Sequence, residues 1–210
     1  MKVQWATLLL GAGAGVAAGV VVAGLARRLA GGRPVAPIWL VMGLQAALAI
    51  WGTWSSDGGG MAVVSLPLSA ALLTLALVDV RTLRLPDVIT LPLIGAGILA
   101  AAIGGVDAAA RCIGAAAGFL ALSGLAFGFR RLRGRDGIGM GDAKLLAAAG
   151  AWLGWRALPW MVLTACGAAF VWVAVRRLLR GRETLTQPLP FGAPLALAFW
   201  IVWLYGAPES

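Results

Sequence analysis

The chain has 210 residues, of which 61% are hydrophobic and only 12% are charged, and its mean hydropathy is +0.92. Soluble domains carry about 25% charged residues, so this composition excludes an ordinary soluble fold and predicts an all-α, polytopic membrane helix bundle. The net charge of +9 would suit a nucleic-acid ligand in a soluble protein. Here the basic residues occupy short gaps between apolar segments, without a basic face that carries stacking aromatics, so we predict no nucleic-acid partner.

Apolar stretches separated by charged or glycine-rich turns predict about eight transmembrane segments, because a span needs about 20 mostly apolar residues. The predicted segments cover residues 3–26, 35–51, 61–78, 88–103, 108–129, 143–153 and 158–175, and the last one ends near Tyr205. The segment at 143–153 is short. The first segment has the length and the basic C-terminal flank of a retained helix rather than of a cleaved signal peptide.

Small and aromatic residues add detail to these segments. In lipid, glycines allow helices to approach closely, and the clearest series is Gly11, Gly13, Gly15 and Gly19. Tryptophans near segment ends predict an interfacial aromatic belt, and they are Trp152, Trp155, Trp160, Trp200 and Trp203.

The distribution of charge predicts the orientation in the membrane. If the segments alternate in direction, all but Lys2, Arg111 and Arg156 of the 17 basic residues fall on one side. The positive-inside rule makes that side cytoplasmic. We therefore predict a multi-pass membrane protein with both termini on the side opposite the cytoplasm.

Two aspartates occupy apolar surroundings in the predicted bundle. Asp79 ends the third segment, and Asp142 opens the short one directly after Gly139 and Gly141. An Asp at the centre of a membrane helix costs roughly 2.5 to 3.5 kcal/mol, so each carboxylate needs a reason. The predicted orientation puts both of them at the cytoplasmic end, where they could form a pair.

Two carboxyl groups held close together cannot both ionise easily, so one keeps its proton while the other is charged. The ionised group can accept a proton from water as the water attacks an amide, and the protonated group can polarise the carbonyl. Such a pair titrates as a unit, so the sequence does not indicate which aspartate is the base. It needs neither a metal nor a cofactor, and we predict none.

A structural role remains open for each acidic residue. Asp79 and Asp142 could cap helices or pair with a nearby basic residue. Asp87 and Asp107 fit that role better, because both precede apolar segments where an N-terminal carboxylate is favourable. Lys144 could hold a substrate group or mark the cytoplasmic boundary.

The chain contains no histidine and only two cysteines. A conventional Cys/His zinc site therefore lacks ligands. Cys112 and Cys166 are predicted to be small buried hydrophobic residues.

Three short blocks lie between residues 79 and 195. The first is Asp79 with Arg-Leu-Pro-Asp at 84–87, the second is Gly-Met-Gly-Asp-Ala-Lys-Leu at 139–145, and the third is Pro-Phe-Gly-Ala-Pro-Leu at 190–195. Together they resemble the type IV prepilin peptidase family of membrane aspartic proteases. The resemblance implies that Asp79 and Asp142 are the catalytic pair. It also implies roles in the motifs and in substrate positioning for Gly139, Gly141, Lys144, Pro86, Asp87, Pro190, Phe191 and Gly192.

The resemblance also implies a substrate. In that family the substrate is the basic leader of a prepilin or pseudopilin precursor, cut at the cytoplasmic face just before the hydrophobic helix. The implied partners are this precursor and the lipid bilayer, and the oligomeric state is unknown. Residues 1–70 would form N-terminal transmembrane helices and residues 71–205 the catalytic core of a single integral domain.

Longer family members carry a cytoplasmic domain with paired Cys-x-x-Cys motifs and methylate the new N-terminus with S-adenosylmethionine. Residues 27–37 are too short for that domain and contain no cysteine, so we predict a peptidase without N-methyltransferase activity. The alternatives are a presenilin-like intramembrane protease of broader range, a proton-coupled small transporter and a non-catalytic assembly protein.

Overall fold

The computed structural model describes residues 2–55, 60–134, 139–180 and 189–206. All regular structure within these ranges is helical, which confirms the prediction of an all-α bundle. A 3-10 turn at Trp155–Ala157 precedes α7. The α-helices are α1 Lys2–Leu29, α2 Ile38–Ser55, α3 Gly60–Thr82, α4 Asp87–Ile103, α5 Ala108–Arg133, α6 Met140–Leu153, α7 Leu158–Arg180 and α8 Gly192–Tyr205.

In the described part of the chain, five helices are long and apolar enough to cross a membrane: α1, α2, α3, α5 and α7. The other three are shorter, with 17 residues in α4 and 14 each in α6 and α8. The eight predicted segments match these helices, but the end of α3 and the start of α6 differ from the predicted bounds. Because α3 continues to Thr82 and α6 begins at Met140, Asp79 and Asp142 lie in the terminal turns of these helices rather than just outside them. Arg135 and Arg182, two of the basic residues assigned to the cytoplasmic side, lie outside the described residues.

The chain folds into two compact units, Met1–Thr82 and Leu83–Ser210. In the first unit α1, α2 and α3 pack against one another. A Cβ at Gly15 would lie 2.7 Å from the Cα of Ala46, and one at Gly19 would lie 2.6 Å from the Cα of Met42. The predicted close approach of α1 is confirmed at these two glycines, whereas Gly13 has open space around it.

A buried polar contact joins α2 and α3 within the first unit. The fully buried amide of Gln45 donates from Nε2 to Ser69 Oγ at 2.9 Å, and Ser69 Oγ donates in turn to the Leu66 carbonyl. Hydrogen bonds between polar side chains help to hold membrane helices together. The division into residues 1–70 and residues 71–205 stays a prediction, because the packing of these helices does not test it.

Helix α6 forms the core of the second unit. Ten of its 14 residues are buried, and it packs against α4, α5 and α8. A helix that is apolar on nearly all sides is either covered by neighbouring helices or faces lipid, and α6 is the covered case. Helix α5 covers one side of α6 at close range, because Gly114 and Gly118 have no side chains and let the backbone of α6 approach.

Trp152, at the end of α6, is buried and not part of an interfacial belt. Its indole Nε1 donates to the Leu93 carbonyl at 2.8 Å, its ring packs edge-on against Trp203, and its carbonyl accepts from Arg111 Nη1 at 2.6 Å. Trp200 is buried too. The belt prediction is therefore wrong for Trp152 and Trp200, because position near a helix end does not reveal which face of the helix is covered.

The two cysteines also differ from the prediction. Cys112 and Cys166 are both exposed in the structure. Their helices, α5 and α7, are span-length and apolar, so an exposed position on them suits a small apolar side chain that faces lipid.

Candidate active site

Asp79 lies in the last turn of α3 and is only 4% exposed. A carboxylate at this position does not stabilise α3. A buried charge is costly, and the C-terminal end of a helix is the negative end of its dipole. Around it, Leu75 and Val78 are buried as well. The helix itself therefore gives no reason for a carboxylate at this position.

Asp142 lies in the first turn of α6 and is 8% exposed. Gly139 is the N-cap residue, and its carbonyl accepts from the Asp142 backbone N–H at 3.1 Å. The carboxylate folds back over this glycine, so that a Cβ at Gly139 would lie 3.3 Å from Asp142 Oδ2. The positive end of the helix dipole favours a negative charge here.

Gly141 lets the first turn of α6 approach the link between α3 and α4. A Cβ at Gly141 would lie 2.8 Å from the Cβ of Leu85 and 3.3 Å from its backbone nitrogen. Leu85 is buried. The link enters from Leu83, whose φ of +55° is left-handed, a conformation that costs a residue other than glycine about 1 kcal/mol or more.

Asp87 and Lys144 form an ion pair although 57 residues separate them in sequence. Lys144 Nζ lies 2.6 Å from Asp87 Oδ1 and 2.7 Å from Oδ2. Asp87 is the first residue of α4, directly after the N-cap residue Pro86. The pair thus joins the first turn of α4 to the residue that directly follows the first turn of α6.

The third block opens α8 in the second unit. Pro190 and Gly192 are buried, and Phe191 is the N-cap residue of α8. The Phe191 carbonyl accepts from the backbone N–H of Leu195 at 3.1 Å. These residues form the start of a helix that packs on α6, which is the helix of Asp142.

The four acidic residues in the described ranges fall into two classes. Asp87 and Asp107 are exposed, and each has a structural partner: Asp87 binds Lys144, and Asp107 caps α5 by accepting from the Ala109 N–H at 2.9 Å. The capping role predicted for Asp107 is confirmed. Asp79 and Asp142 are the buried pair. Asp79 belongs to the first unit and Asp142 to the second, and their catalytic pairing stays a prediction.

No group of three or more cysteine, aspartate or glutamate side chains comes together in the ranges that the structure describes. The contact of Gly114 and Gly118 with α6 was not predicted, although Gly-Ala-Ala-Ala-Gly at 114–118 is a small-x-x-x-small pattern that indicates close packing. The role of Arg111, which donates to a carbonyl in the last turn of α6, was not predicted either.

The segment that contains both buried aspartates also matches a known family. A sequence model described as the type IV leader peptidase family matches residues 66–174, just over half of the chain. The chain belongs to the type IV leader peptidase family. The match includes Asp79, Asp87, Asp142 and Lys144, whereas the third block at 190–195 lies beyond it. Family membership and the five span-length helices make this leader peptidase family member a multi-pass membrane protein.

Curated relatives of this family member carry the name prepilin leader peptidase/N-methyltransferase. One from Burkholderia pseudomallei (strain 1026b) is 46% identical over 166 residues, which are 77% of this chain and 51% of the relative. One from Aeromonas hydrophila is 39% identical over 168 residues, 80% of this chain and 58% of the relative. One from Xanthomonas campestris pv. campestris is 33% identical over 181 residues, 83% and 61% respectively. The chain thus spans just over half the length of these relatives. No solved structure matches it significantly.

Proposed function

We propose that this chain is an aspartic endopeptidase that removes the basic leader peptide from prepilin-like precursors, with Asp79 and Asp142 as its catalytic pair. The observation that carries the proposal is the burial of these two carboxylates in apolar helices, inside the segment that matches the leader peptidase family. The names of the relatives supply the substrate class.

The contrast among the acidic residues supports the choice of pair. Asp87 and Asp107 are exposed, so neither carries the cost of a carboxylate buried in apolar surroundings. Asp79 is buried at the unfavourable end of α3, where a carboxylate costs stability. Costly ionisable groups in apolar surroundings are candidates for function.

The chemistry follows from one proton shared between two carboxyl groups. The ionised aspartate accepts a proton from the attacking water as the water adds to the scissile carbonyl. The protonated aspartate donates a hydrogen bond to the carbonyl oxygen, and its proton later serves the departing nitrogen. Because the α6 dipole favours a negative charge at Asp142, Asp142 is the better candidate for the ionised partner at the start of the reaction.

The proposed location is the cytoplasmic face of the bacterial inner membrane, with both termini outside. Support comes from the helix ends near the aspartates and from α5: Arg81 lies in the last turn of α3, and Arg130, Arg131 and Arg133 end α5 just before the Asp142 motif. Basic residues concentrate on the cytoplasmic side of membrane proteins. A prepilin leader would meet the pair on the side where the precursor is made.

The proposal is for peptidase activity alone. The relatives are named for N-methyltransferase activity as well, so its absence here stays a prediction, supported only by the short cysteine-free stretch at 27–37.

The test is to incubate the purified full chain, in lipid nanodiscs, with a prepilin that carries its leader, and to determine the mass and N-terminal sequence of the product. We expect one cut between the basic leader and the hydrophobic helix. A membrane helix without a leader is the control, and cutting it equally well would favour a presenilin-like protease. No cut in either protein would refute the peptidase proposal. Adding S-adenosylmethionine tests methylation, because a methylated product is heavier by one methyl group.

Alanine substitutions at the two motif glycines should have different effects in this assay. At Gly139 the new Cβ meets only the Asp142 carboxylate, so we expect Gly139→Ala to lower kcat by about 10-fold through misplacement of that group with little change in stability. At Gly141 it meets Leu85, so Gly141→Ala should also lower the free energy of unfolding by about 1–3 kcal/mol. Gly128→Ala is the control, because Gly128 has open space. Equal kinetics for Gly139→Ala and Gly128→Ala would contradict the prediction.

A further inference from the structure

The ion pair between Asp87 and Lys144 joins α4 to α6. Lys144 follows Asp142 by two residues in the sequence. Lys144 Nζ contacts both carboxylate oxygens, at 2.6 and 2.7 Å. The side chain of Lys144 is 26% exposed and that of Asp87 is 56% exposed. An ion pair this exposed stabilises a fold by only about 0–1 kcal/mol, so stability alone is a weak reason for it.

Lys144 is also poorly placed to stabilise its own helix. It is the fifth residue of α6, in the N-terminal half, where a cation gains nothing from the helix dipole. Asp87, in contrast, is favourable in the first turn of α4. Lys144 therefore contributes little to α6 by itself, and its role must come from what its ammonium group reaches.

Both helices begin without a side-chain cap. The N-cap residues are Pro86 for α4 and Gly139 for α6, and neither makes a capping hydrogen bond through its side chain. Uncapped first turns fray readily, and Asp142 lies in such a turn. Two contacts fasten this end of α6: Gly141, in the first turn, lies against Leu85, just before α4, and Lys144, directly after the first turn, binds Asp87, the first residue of α4.

We propose that Asp87 and Lys144 are positioning residues that hold the Asp142 carboxylate in its working orientation by fastening the N-terminal end of α6, directly after its first turn, to the first turn of α4. This inference rests on the proposed peptidase function. The ammonium group of Lys144 is occupied by Asp87, so its action on the reaction runs through Asp142 and not through the substrate.

The kinetic test compares Asp87→Asn, Lys144→Met, the double variant and Lys144→Arg in the leader-removal assay. We expect each neutralising change to lower kcat by about 10- to 100-fold with KM unchanged, because substrate binding is not touched. The double variant should be no slower than either single variant, since one interaction is lost in all three. Lys144→Arg should recover most of the rate, because a guanidinium group can bond both carboxylate oxygens.

A second measurement does not need activity. A water-soluble carbodiimide modifies accessible carboxyl groups, and peptide mass spectrometry gives the rate at Asp142. We expect that rate to rise by about 10-fold in Asp87→Asn and Lys144→Met, because the loosened turn opens more often. The charge-reversed double variant, Asp87→Lys with Lys144→Asp, should restore slow labelling. Asp107→Ala, which removes an exposed cap from α5, is the matched control and should leave both kcat and Asp142 labelling unchanged.

The outcomes separate this inference from the proposed function. Unchanged kcat and labelling in the pair variants would overturn the positioning role while leaving the peptidase intact. A raised KM in Lys144→Met without an effect of Asp87→Asn would also overturn it, because Lys144 would then contact the substrate. If the wild-type chain cuts no prepilin, the peptidase proposal fails, and the labelling rates still decide whether the pair fastens the turn.

Discussion

We expect Asp79→Asn and Asp142→Asn each to lower kcat/KM for leader removal by about 10²- to 10⁴-fold, the usual contribution of a general acid or base, without loss of membrane insertion. Asparagine keeps the size of the side chain and much of its hydrogen bonding but cannot ionise or exchange a proton. Both side chains are buried, so a neutral amide of the same size removes a desolvation cost, but at Asp142 it also removes the favourable interaction of the charge with the α6 dipole. The stability of the variants should therefore stay close to that of the wild type.

The double variant distinguishes a shared proton from two separate contributions. Groups that act as one unit are strongly non-additive, so Asp79→Asn combined with Asp142→Asn should be about as slow as either alone. Asp107→Asn is the control, since Asp107 is exposed and caps α5. Normal cleavage by either single variant would remove that residue from the catalytic pair, and multiplying losses in the double variant would argue against a common proton.

The second large effect is expected where α5 and α6 meet. A Cβ at Gly118 would lie 2.5 Å from the Leu146 carbonyl oxygen and 2.8 Å from its carbon. A Cβ at Gly150 would overlap the carbonyl of Gly114. These neighbours are backbone atoms within helices, and they cannot rotate away as a side chain can. We therefore expect Gly118→Ala and Gly150→Ala each to lower the free energy of unfolding by about 1–3 kcal/mol or more.

The matched control lies on the same helix. Gly124 of α5 is exposed and has open space for a Cβ, so Gly124→Ala should leave stability unchanged or raise it by about 0.5–1 kcal/mol through its better helix propensity. Unfolding in detergent, followed by circular dichroism, measures all three variants under one condition. If Gly118→Ala is as stable as Gly124→Ala, the two backbones do not approach as closely as described.

Hydropathy was sufficient to predict the helices, because the bilayer imposes both their length and their composition. Hydropathy was not sufficient to place the end of α3, near Asp79, or the start of α6, near Asp142. Backbone hydrogen bonding carries α3 on to Thr82 and starts α6 at Met140, and a polar residue in a terminal turn does not end a helix. The cost of a buried carboxylate singled out the same two aspartates that the structure buries.

Contacts between distant residues could not be predicted from composition. Gly13, Gly43 and Gly118 are all helical glycines in apolar segments, yet only Gly118 of these three is pressed against a neighbouring backbone. Which one packs depends on how two helices are aligned, and a single sequence does not contain that information. The same reason hid the contact of Lys144 with Asp87, since nothing local links two charges 57 residues apart.

The length of α6 has a consequence for access to Asp142. At 1.5 Å per residue, its 14 residues extend about 21 Å, well short of the roughly 30 Å of hydrocarbon in a typical bilayer. Trp152 anchors one end of α6 among the aromatic and apolar side chains of the second unit, and Asp142 lies at the other end. Because longer neighbours such as the 26-residue α5 cover α6, we expect a recess at the Asp142 end, which would admit the water that the proposed hydrolysis requires.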